Sequence, residues 1–353
     1  ALESEAAVIH ATGQLLDVLS QEYCIEEHLI YSTASIGIRY LDPNQHAPSS
    51  DILRDADTAM YEAKLAGRGC FRLFDRYMLE SVQRRASLEN DLRKALAFDQ
   101  LRVVYQPIVD LNTRRVASYE ALLRWEHPEH GQVSPAEFIP IAEETGQILD
   151  IGEWVLRTAC RDFLDWRSIM GELAPPSVSV NISRAQLVNP KLLGSIPRIL
   201  EESDMPAESL HLEVTETAVM QDTEAAQRIL SRIHQTGVKL DMDDFGTGYS
   251  SLSCLHDFPF DVLKIDRSFV AGINRSNDFA AMIHAVNVLA QNMGLAVIAE
   301  GVEEADQIAL LQAMDCQYGQ GFHFSRPVPS AEVPATTRAI SAGHPRPEAK
   351  VAL

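Results

Sequence analysis

The sequence contains no apolar run that approaches the length needed to span a bilayer, and its first residues do not have the pattern of a signal peptide. We therefore expect a soluble, cytoplasmic segment without membrane contact, and any membrane anchor of a longer protein would lie upstream of it. Cysteine is also scarce. The chain has five cysteines, which are widely spaced, and none forms a Cys-x-x-Cys pair. This usage indicates reduced cytosolic thiols rather than a disulfide framework.

Basic residues are few. The chain has 30 lysines and arginines against 50 aspartates and glutamates, which gives a net charge of −20. Sequence-independent binding to DNA or RNA needs a basic face, so we expect no nucleic-acid polymer as a partner. A small anionic ligand remains compatible with this charge, because bound metal ions can reverse the sign of a pocket locally.

The length of 353 residues predicts two domains, or one large α/β domain with an appendage, and the pattern along the chain favours two. The first covers residues 1–75 and has too few elements to close a core. A charged, helical stretch over 76–98 follows and predicts a connecting helix. The elements expected in the first domain are helices over 3–20 and 51–65 and strands over 28–40 and 70–74.

From residue 99 to about 335, apolar strand-like runs alternate with helical ones. This pattern predicts an α/β fold, a (β/α)8 barrel of the TIM type. A doubly wound sheet is the alternative, but no glycine-rich dinucleotide fingerprint follows any of the strands. Residues 336–353 are predicted to form a disordered tail. The eight predicted strands cover residues 103–109, 116–123, 177–183, 210–215, 238–243, 262–265, 296–299 and 321–324.

Two adjacent carboxylates, Asp243 and Asp244, end one of these strands. The alternation before them has the period of a β-strand, and a loop with glycines at 246 and 248 follows, which permits a sharp turn. Adjacent carboxylates repel each other, so a site built on both needs positive charge nearby. A pair of divalent cations is the natural candidate.

Other polar residues lie within or at the ends of the apolar strands, at alternating positions that place them on one face of each strand. In a barrel such side chains converge at the C-terminal mouth, where unpaired carboxylates would carry a cost of several kcal/mol each. All-oxygen ligation favours Mg2+ or Mn2+ over zinc. A zinc site at His127 and His130 is disfavoured, because their spacing and the proline between them indicate a turn. The converging residues are Glu120, Asn181, Glu213, Lys264, Asp266 and Glu300.

Seven motifs in order resemble the EAL domain, the family of cyclic di-GMP phosphodiesterases. The resemblance covers about residues 99–330 and implies hydrolysis of cyclic di-GMP to linear pGpG with two divalent cations, Mg2+ or Mn2+, in bacterial second-messenger signalling. The motifs are Glu120-Ala-Leu122, Ser179-Val-Asn181, Leu212-Glu-Val-Thr-Glu216, Asp243-Asp-Phe-Gly-Thr-Gly248, Leu263-Lys-Ile-Asp266, Ala299-Glu-Gly-Val-Glu303 and Gln320-Gly-Phe322.

Matched position by position, the resemblance implies a role for each polar residue. Either Lys264 or Glu300 would relay the proton of the attacking water, and Glu216 would tether the loop after Asp244. The ligands of one cation would be Glu120, Asn181, Glu213 and Asp243, and those of the second Asp243, Asp244 and Glu300. The substrate would be held by Gln106, Arg124, Asp266, Glu303 and Gln320.

Residues 1–75 resemble the C-terminal half of a GGDEF domain, on the stretches 33–38 and 56–68. The signature loop of that family is absent from this chain, so we expect no cyclase activity. A non-hydrolytic cyclic di-GMP receptor or scaffold is the alternative to the phosphodiesterase, but the complete ligand set favours catalysis. The resemblance also raises a homodimer through residues 277–293, although barrel packing explains Met282, Val286 and Leu289 equally well.

Overall fold

The computed structural model describes residues 4–26, 28–41, 48–220, 222–246, 255, 257–274 and 276–343. The chain divides into two units, Ala1–Asp91 and Leu92–Leu353. Within the described ranges, no helix is both long enough and apolar enough to cross a membrane.

The first unit contains two small sheets and its helices. Strands β1 and β2 pair antiparallel, and β3 and β4 pair parallel. The predicted strand over 28–40 is wrong as a single element, because residues 31–35 have no strand pairing and separate β2 from β3. The predicted helices are confirmed with small shifts at their ends. The elements are α1 (Glu5–Leu19), β1 (Tyr23–Ile25), β2 (His28–Ile30), β3 (Ile36–Ile38), α2 (Ser49–Leu65) and β4 (Phe71–Leu73), and the predicted connecting helix is α3 (Arg76–Ala95).

The second unit is built on a closed ring of eight strands, which confirms the barrel. Two further strands, β7 (Gly131–Val133) and β14 (Val328–Pro329), pair with β6 and β5 outside the ring. In ring order the strands are β5 (Leu101–Asp110), β6 (Val116–His127), β8 (Ser177–Asn181), β9 (Leu210–Thr215), β10 (Lys239–Phe245), β11 (Val262–Ile265), β12 (Ala296–Ala299) and β13 (Tyr318–Gln320).

The ring departs from a regular (β/α)8 barrel at its first strand. Strand β5 runs antiparallel to both of its neighbours, β6 and β13, whereas the remaining ring pairs are parallel. A short turn, rather than a helix, joins β5 to β6. The predicted strand over 321–324 is also wrong. The backbone at Gly321 packs so closely on Val302 that an added Cβ would lie 2.1 Å from the Val302 carbonyl oxygen, and the chain turns there.

One described helix of this unit extends into residues 336–353, which were predicted to form a disordered tail. Helix α13 (Val333–Ser341) buries Val333 and Ile340, so ordered structure continues beyond residue 336. Residues 344–353 lie outside the described part. The preceding helices are α4 (Pro135–Glu144), α5 (Ile148–Met170), α6 (Arg184–Leu187), α7 (Leu192–Ser203), α8 (Glu216–Met220), α9 (Thr223–His234), α10 (Arg267–Gly272), α11 (Asn277–Asn292) and α12 (Ala305–Ala313).

The interior of the ring explains which side chains reach the mouth. Ile108, Val262 and Ile298 pack together although β5 and β11 are not neighbours in the ring, so all three point into the barrel. Side chains two residues apart on a strand share a face. Lys264, which follows Val262 by two residues, therefore points inward near the C-terminal end of β11, and Glu300 continues the inward face of β12.

Candidate active site

Lys264 lies at the centre of the barrel mouth and is 1% exposed. Its Nζ is 2.6 Å from Glu300 Oε1 and 2.8 Å from Glu213 Oε2. The same ammonium is 3.4 Å from Asp243 Oδ1 and 3.5 Å from Glu120 Oε2. One cation thus faces four carboxylates, which come from four different strands or strand ends. If all four carboxylates are ionised, they outnumber this single ammonium among the described residues.

Asp244 joins this cluster through an irregularity at the end of β10. The pairing of β10 with β11 shifts between Met242 and Phe245, and Asp244 has φ of +55°. Its N–H donates to Asp243 Oδ1 at 2.9 Å. Adjacent strand residues normally face opposite sides of a sheet, and a bulge re-aims them. As a result, one oxygen each from Asp243, Asp244 and Glu300 lie within 4.8 Å of one another.

The pKa values of the acids show how strongly these groups oppose one another. Burial, and then the charges of Glu120 and Asp243, hold the pKa of Glu213 well above its usual value. Burial raises the pKa of Glu300 to about 8, although Lys264 opposes the shift. Burial and Asp243 also raise the pKa of Asp244. Added positive charge would relieve this unfavourable clustering.

The surroundings favour the charged form of Lys264, whereas they disfavour the charged forms of Glu213, Asp244 and Glu300. Burial alone would lower the pKa of its ammonium, but Asp243, Glu120 and the other two carboxylates hold that pKa well above its usual value. With these partners Lys264 is an ammonium at neutral pH, whereas Glu300 is close to its titration point.

The donor set fits a hard divalent cation. Glu213 Oε1 is fully buried and has no hydrogen-bond partner among the described residues, so one carboxylate oxygen is left for a ligand. Asn181 Nδ2 donates to Glu120 Oε1 at 2.7 Å, which directs the two predicted ligands toward the same place. Oxygen donors of this kind suit Mg2+ and Mn2+. Which of these side chains bind a cation stays a prediction.

Two glutamines predicted to bind substrate form a buried chain behind Glu120. Gln320 Nε2 donates to Glu120 Oε2 at 2.6 Å and to Gln106 Oε1 at 3.2 Å. Gln106 Nε2 then donates to the Ser325 carbonyl at 3.2 Å. These hydrogen bonds orient the Glu120 carboxylate, a role of Gln106 and Gln320 that the sequence did not predict. Contact of Gln106 and Gln320 with a substrate stays a prediction.

Glu216 lies at the start of α8, immediately after β9, and is 3% exposed. Its Oε2 accepts the N–H of Gly246 at 3.3 Å. Gly246 has φ of +97°, a conformation that favours glycine, so the turn predicted after Asp244 is present at this residue. The continuation of the predicted loop, with Gly248, lies outside the described residues.

Two cavities flank the carboxylate cluster. The larger has about 930 Å³, and Glu120, Arg124 and Asn181 border it together with apolar side chains of α4 and α5. Arg124 Nη1 donates to the Leu123 carbonyl at 2.8 Å, and partial burial lowers the pKa of its guanidinium. The smaller cavity has about 210 Å³ and lies beside Glu300.

Only one of the last two predicted substrate residues, the exposed Glu303, lines the smaller cavity. Asp266 caps α10, where its side chain accepts the Ser268 N–H at 2.9 Å. The disfavoured zinc site at His127 is a turn, because His127 Nδ1 accepts the backbone N–H groups of Glu129 and His130, each at 3.1 Å.

The chain matches the family model of the EAL domain over residues 89–327 and therefore belongs to the EAL-domain family. Residues 1–70 match a second model, described as diguanylate cyclase, GGDEF domain. These matches agree with the two resemblances found in the sequence.

Named relatives occur in Pseudomonas aeruginosa. The bifunctional diguanylate cyclase/cyclic di-GMP phosphodiesterase MucR is 39% identical over 92% of this chain and 47% of its own length. The cyclic di-GMP phosphodiesterase NbdA is 37% identical over 92% of this chain and 41% of its own length. The chain thus spans less than half the length of either relative. The structure of the PaMucR phosphodiesterase in complex with c-di-GMP has a TM-score of 0.67 at 40% identity, over 70% of this chain and 99% of that one.

Proposed function

We propose that this chain is a metal-dependent phosphodiesterase that hydrolyses cyclic di-GMP to linear pGpG. The observation that carries the proposal is the buried cluster at the barrel mouth, where Lys264 faces four carboxylates and Glu213 keeps an unpartnered oxygen. The two relatives whose names state this activity supply the substrate class.

Two sets of side chains would hold the cations. Glu120, Asn181, Glu213 and Asp243 would bind one, and Asp243, Asp244 and Glu300 the other. Bound Mg2+ or Mn2+ would supply a water of lowered pKa and offset the charge that develops on the phosphate. The three-carboxylate group around Asp243 supports the second set, since its oxygens lie within 4.8 Å of one another.

The proton chemistry falls to Glu300 and Lys264. The attacking water forms a bond to phosphorus, the bond from phosphorus to the ribose 3′ oxygen breaks, and that oxygen gains a proton. With cations bound, Glu300 would be ionised and would be the better acceptor for the water's proton, because Lys264, held among four carboxylates, is already protonated. Lys264 would contact the phosphate and donate a proton to the leaving oxygen, and the proton taken up by Glu300 would then pass to Lys264, whose Nζ lies 2.6 Å from Glu300 Oε1.

The flanking cavities supply the binding surface. Arg124 borders the larger cavity beside Glu120 and Asn181, where it would hold a non-bridging phosphate oxygen, and the apolar side chains of α4 and α5 would pack on a base. Glu303 and Asp266 would contact the nucleotide from the other side. Gln106 and Gln320 would act mainly by orienting Glu120.

The experiment is a chromatographic assay of cyclic di-GMP with the purified chain in Mg2+ or Mn2+. Glu120→Gln is the test variant. Glu126→Gln is its matched control, because Glu126 lies on the same strand but is exposed. We expect pGpG from the wild type and from Glu126→Gln, and none from Glu120→Gln. Binding without loss of the cyclic form in both metals would instead establish the receptor function.

A further inference from the structure

Gln307 is the third residue of α12 and is 5% exposed. Its Oε1 accepts two backbone N–H groups, from Glu303 at 2.8 Å and from Glu304 at 2.9 Å. Its Nε2 donates to the carbonyl of Val270, in α10, at 3.1 Å. A single buried carboxamide therefore makes three hydrogen bonds to two separate segments of the chain.

The two segments joined by Gln307 are both walls of the proposed site. Glu300 and Glu303 lie on the segment that leaves β12, and this segment ends at Glu304, the N-cap of α12. Helix α10 begins immediately after Asp266, which follows Lys264 by two residues. Gln307 thus connects the backbone that carries Glu300 and Glu303 to the backbone that follows Lys264 and Asp266.

Backbone contacts fix the same segment on both sides. An added Cβ at Gly301, where φ is +70°, would lie 2.5 Å from Arg267 Cβ, so the segment touches the first residue of α10. On the other side, Val302 N–H donates to the Gln320 carbonyl at 2.9 Å, and His323 N–H donates to the Val302 carbonyl at 3.0 Å. Side chains add to these backbone contacts: Gln307 Oε1 accepts two N–H groups of the segment, and Asn274 Nδ2 donates to Glu304 Oε2 at 3.1 Å.

We propose that Gln307 is a positioning residue for substrate binding, which holds the segment 300–304 so that Glu303 is in place before the nucleotide arrives. Without its carboxamide, the N–H groups of Glu303 and Glu304 lose their acceptor and the hydrogen bond to the Val270 carbonyl in α10 is lost. Part of the binding free energy must then be spent on ordering the segment, which weakens binding. This inference rests on the proposed function for the identity of the ligand.

The test compares Gln307→Met with Gln312→Met. Gln312 lies on the same helix, and its Nε2 also donates to a backbone carbonyl, that of Leu111, at 2.6 Å. Leu111 follows β5 and lies outside the proposed site. We expect Gln307→Met to raise the Kd and KM for cyclic di-GMP about tenfold, the loss of roughly one or two hydrogen bonds, with kcat within about threefold of wild type. Gln312→Met is expected to leave all three constants within about twofold.

A second variant covers the case in which Gln307→Met does not fold. Gln307→Glu keeps an oxygen for the N–H groups of Glu303 and Glu304 but loses the donor to Val270, so its Kd is expected to rise about threefold. Calorimetric Kd values decide the inference even if the wild type proves non-hydrolytic, in which case only the proposed function fails. Equal Kd values for the Gln307 variants and Gln312→Met, or a fall in kcat at unchanged Kd, would overturn it.

Discussion

The Nζ atom of Lys264 lies 2.6 Å from Glu300 Oε1, deep in the mouth of the barrel. The lysine comes from inside β11 and the glutamate follows β12, so the two side chains meet because neighbouring parallel strands present their C-terminal ends together. In this pair an ammonium whose pKa is raised by its carboxylate neighbours faces a carboxyl group whose pKa burial raises to about 8, and the first two predictions concern these two groups.

Removing the ammonium of the pair tests its part in catalysis. We expect Lys264→Met to lower kcat at least 100-fold, because the proton donor and phosphate contact are lost together. Lys239→Met is the control, since Lys239 is a more exposed lysine on β10 whose Nζ pairs with Asp261 at 2.7 Å. Steady-state kinetics with cyclic di-GMP give both values, and an unchanged kcat in Lys264→Met would remove Lys264 from the mechanism.

The raised pKa of Glu300 predicts a pH dependence of stability in metal-free buffer. In the unfolded chain Glu300 ionises near its ordinary pKa of about 4.3, but in the folded protein near 8. Between these values the folded state binds more protons, so Glu300 makes the free energy of unfolding fall as the pH rises. Below about pH 4 the group has no effect, and above pH 8 the destabilisation is complete.

Glu300→Gln removes that titration. We therefore expect the variant to be more stable than the wild type at pH 8 in EDTA, with a difference that shrinks toward pH 5. Urea unfolding at the two pH values measures it. A variant that is less stable than the wild type at pH 8 would show that the ion pair with Lys264 outweighs the burial of the carboxylate.

Divalent cations are expected to stabilise the folded chain, because they bind the folded cluster and not the unfolded one. At a metal concentration of 100 Kd the gain is about 2.7 kcal/mol, which raises Tm by several degrees. Differential scanning calorimetry with Mg2+ or Mn2+ measures the shift, and EDTA should reverse it. In Asp243→Asn the shift should be absent. An equal shift in that variant would place the binding site elsewhere.

The hydrogen bond from Gly246 to Glu216 predicts a link between the loop after Asp244 and metal binding. Without the carboxylate, the turn loses a buried acceptor and Asp244 is held less firmly. We expect Glu216→Ala to raise the Mg2+ concentration for half-maximal activity about tenfold, for a loss of about 1.4 kcal/mol. Glu224→Ala on the exposed face of α9 is the control and should behave like the wild type.

The sequence predicted the strands that carry the ligands more accurately than the one that closes the ring. The bounds of β9, β11 and β12 agree with the predicted ranges, since each is a short, largely apolar run that is followed directly by an acidic residue, Glu216, Asp266 or Glu300. The antiparallel direction of β5 was not predictable from its pattern, because side chains alternate with period two in either orientation. The apolar run over 321–324 indicated a strand, but the close approach of Gly321 to Val302 depends on tertiary packing.

The composition of the site was predictable and its connections were not. Parity along each strand directed Glu213, Asp243 and Lys264 to one mouth, and the structure brings them together. The hydrogen bond between Gln320 and Glu120 joins residues 200 positions apart, and no local pattern indicates it. The positive φ of Asp244 could not be predicted either, because the sequence indicates a turn only through Gly246, two residues later.

The most direct test of the proposed hydrolysis is to run the reaction in water enriched in oxygen-18 and to analyse the product by mass spectrometry. If water attacks phosphorus and the ribose 3′ oxygen leaves, linear pGpG carries one heavy oxygen, and fragmentation locates it on the 5′ phosphate. The account predicts that result for the wild type with Mg2+ or Mn2+ and no product for Glu120→Gln. Nucleotide that binds but stays cyclic and unlabelled, or a label on a ribose hydroxyl, would contradict it.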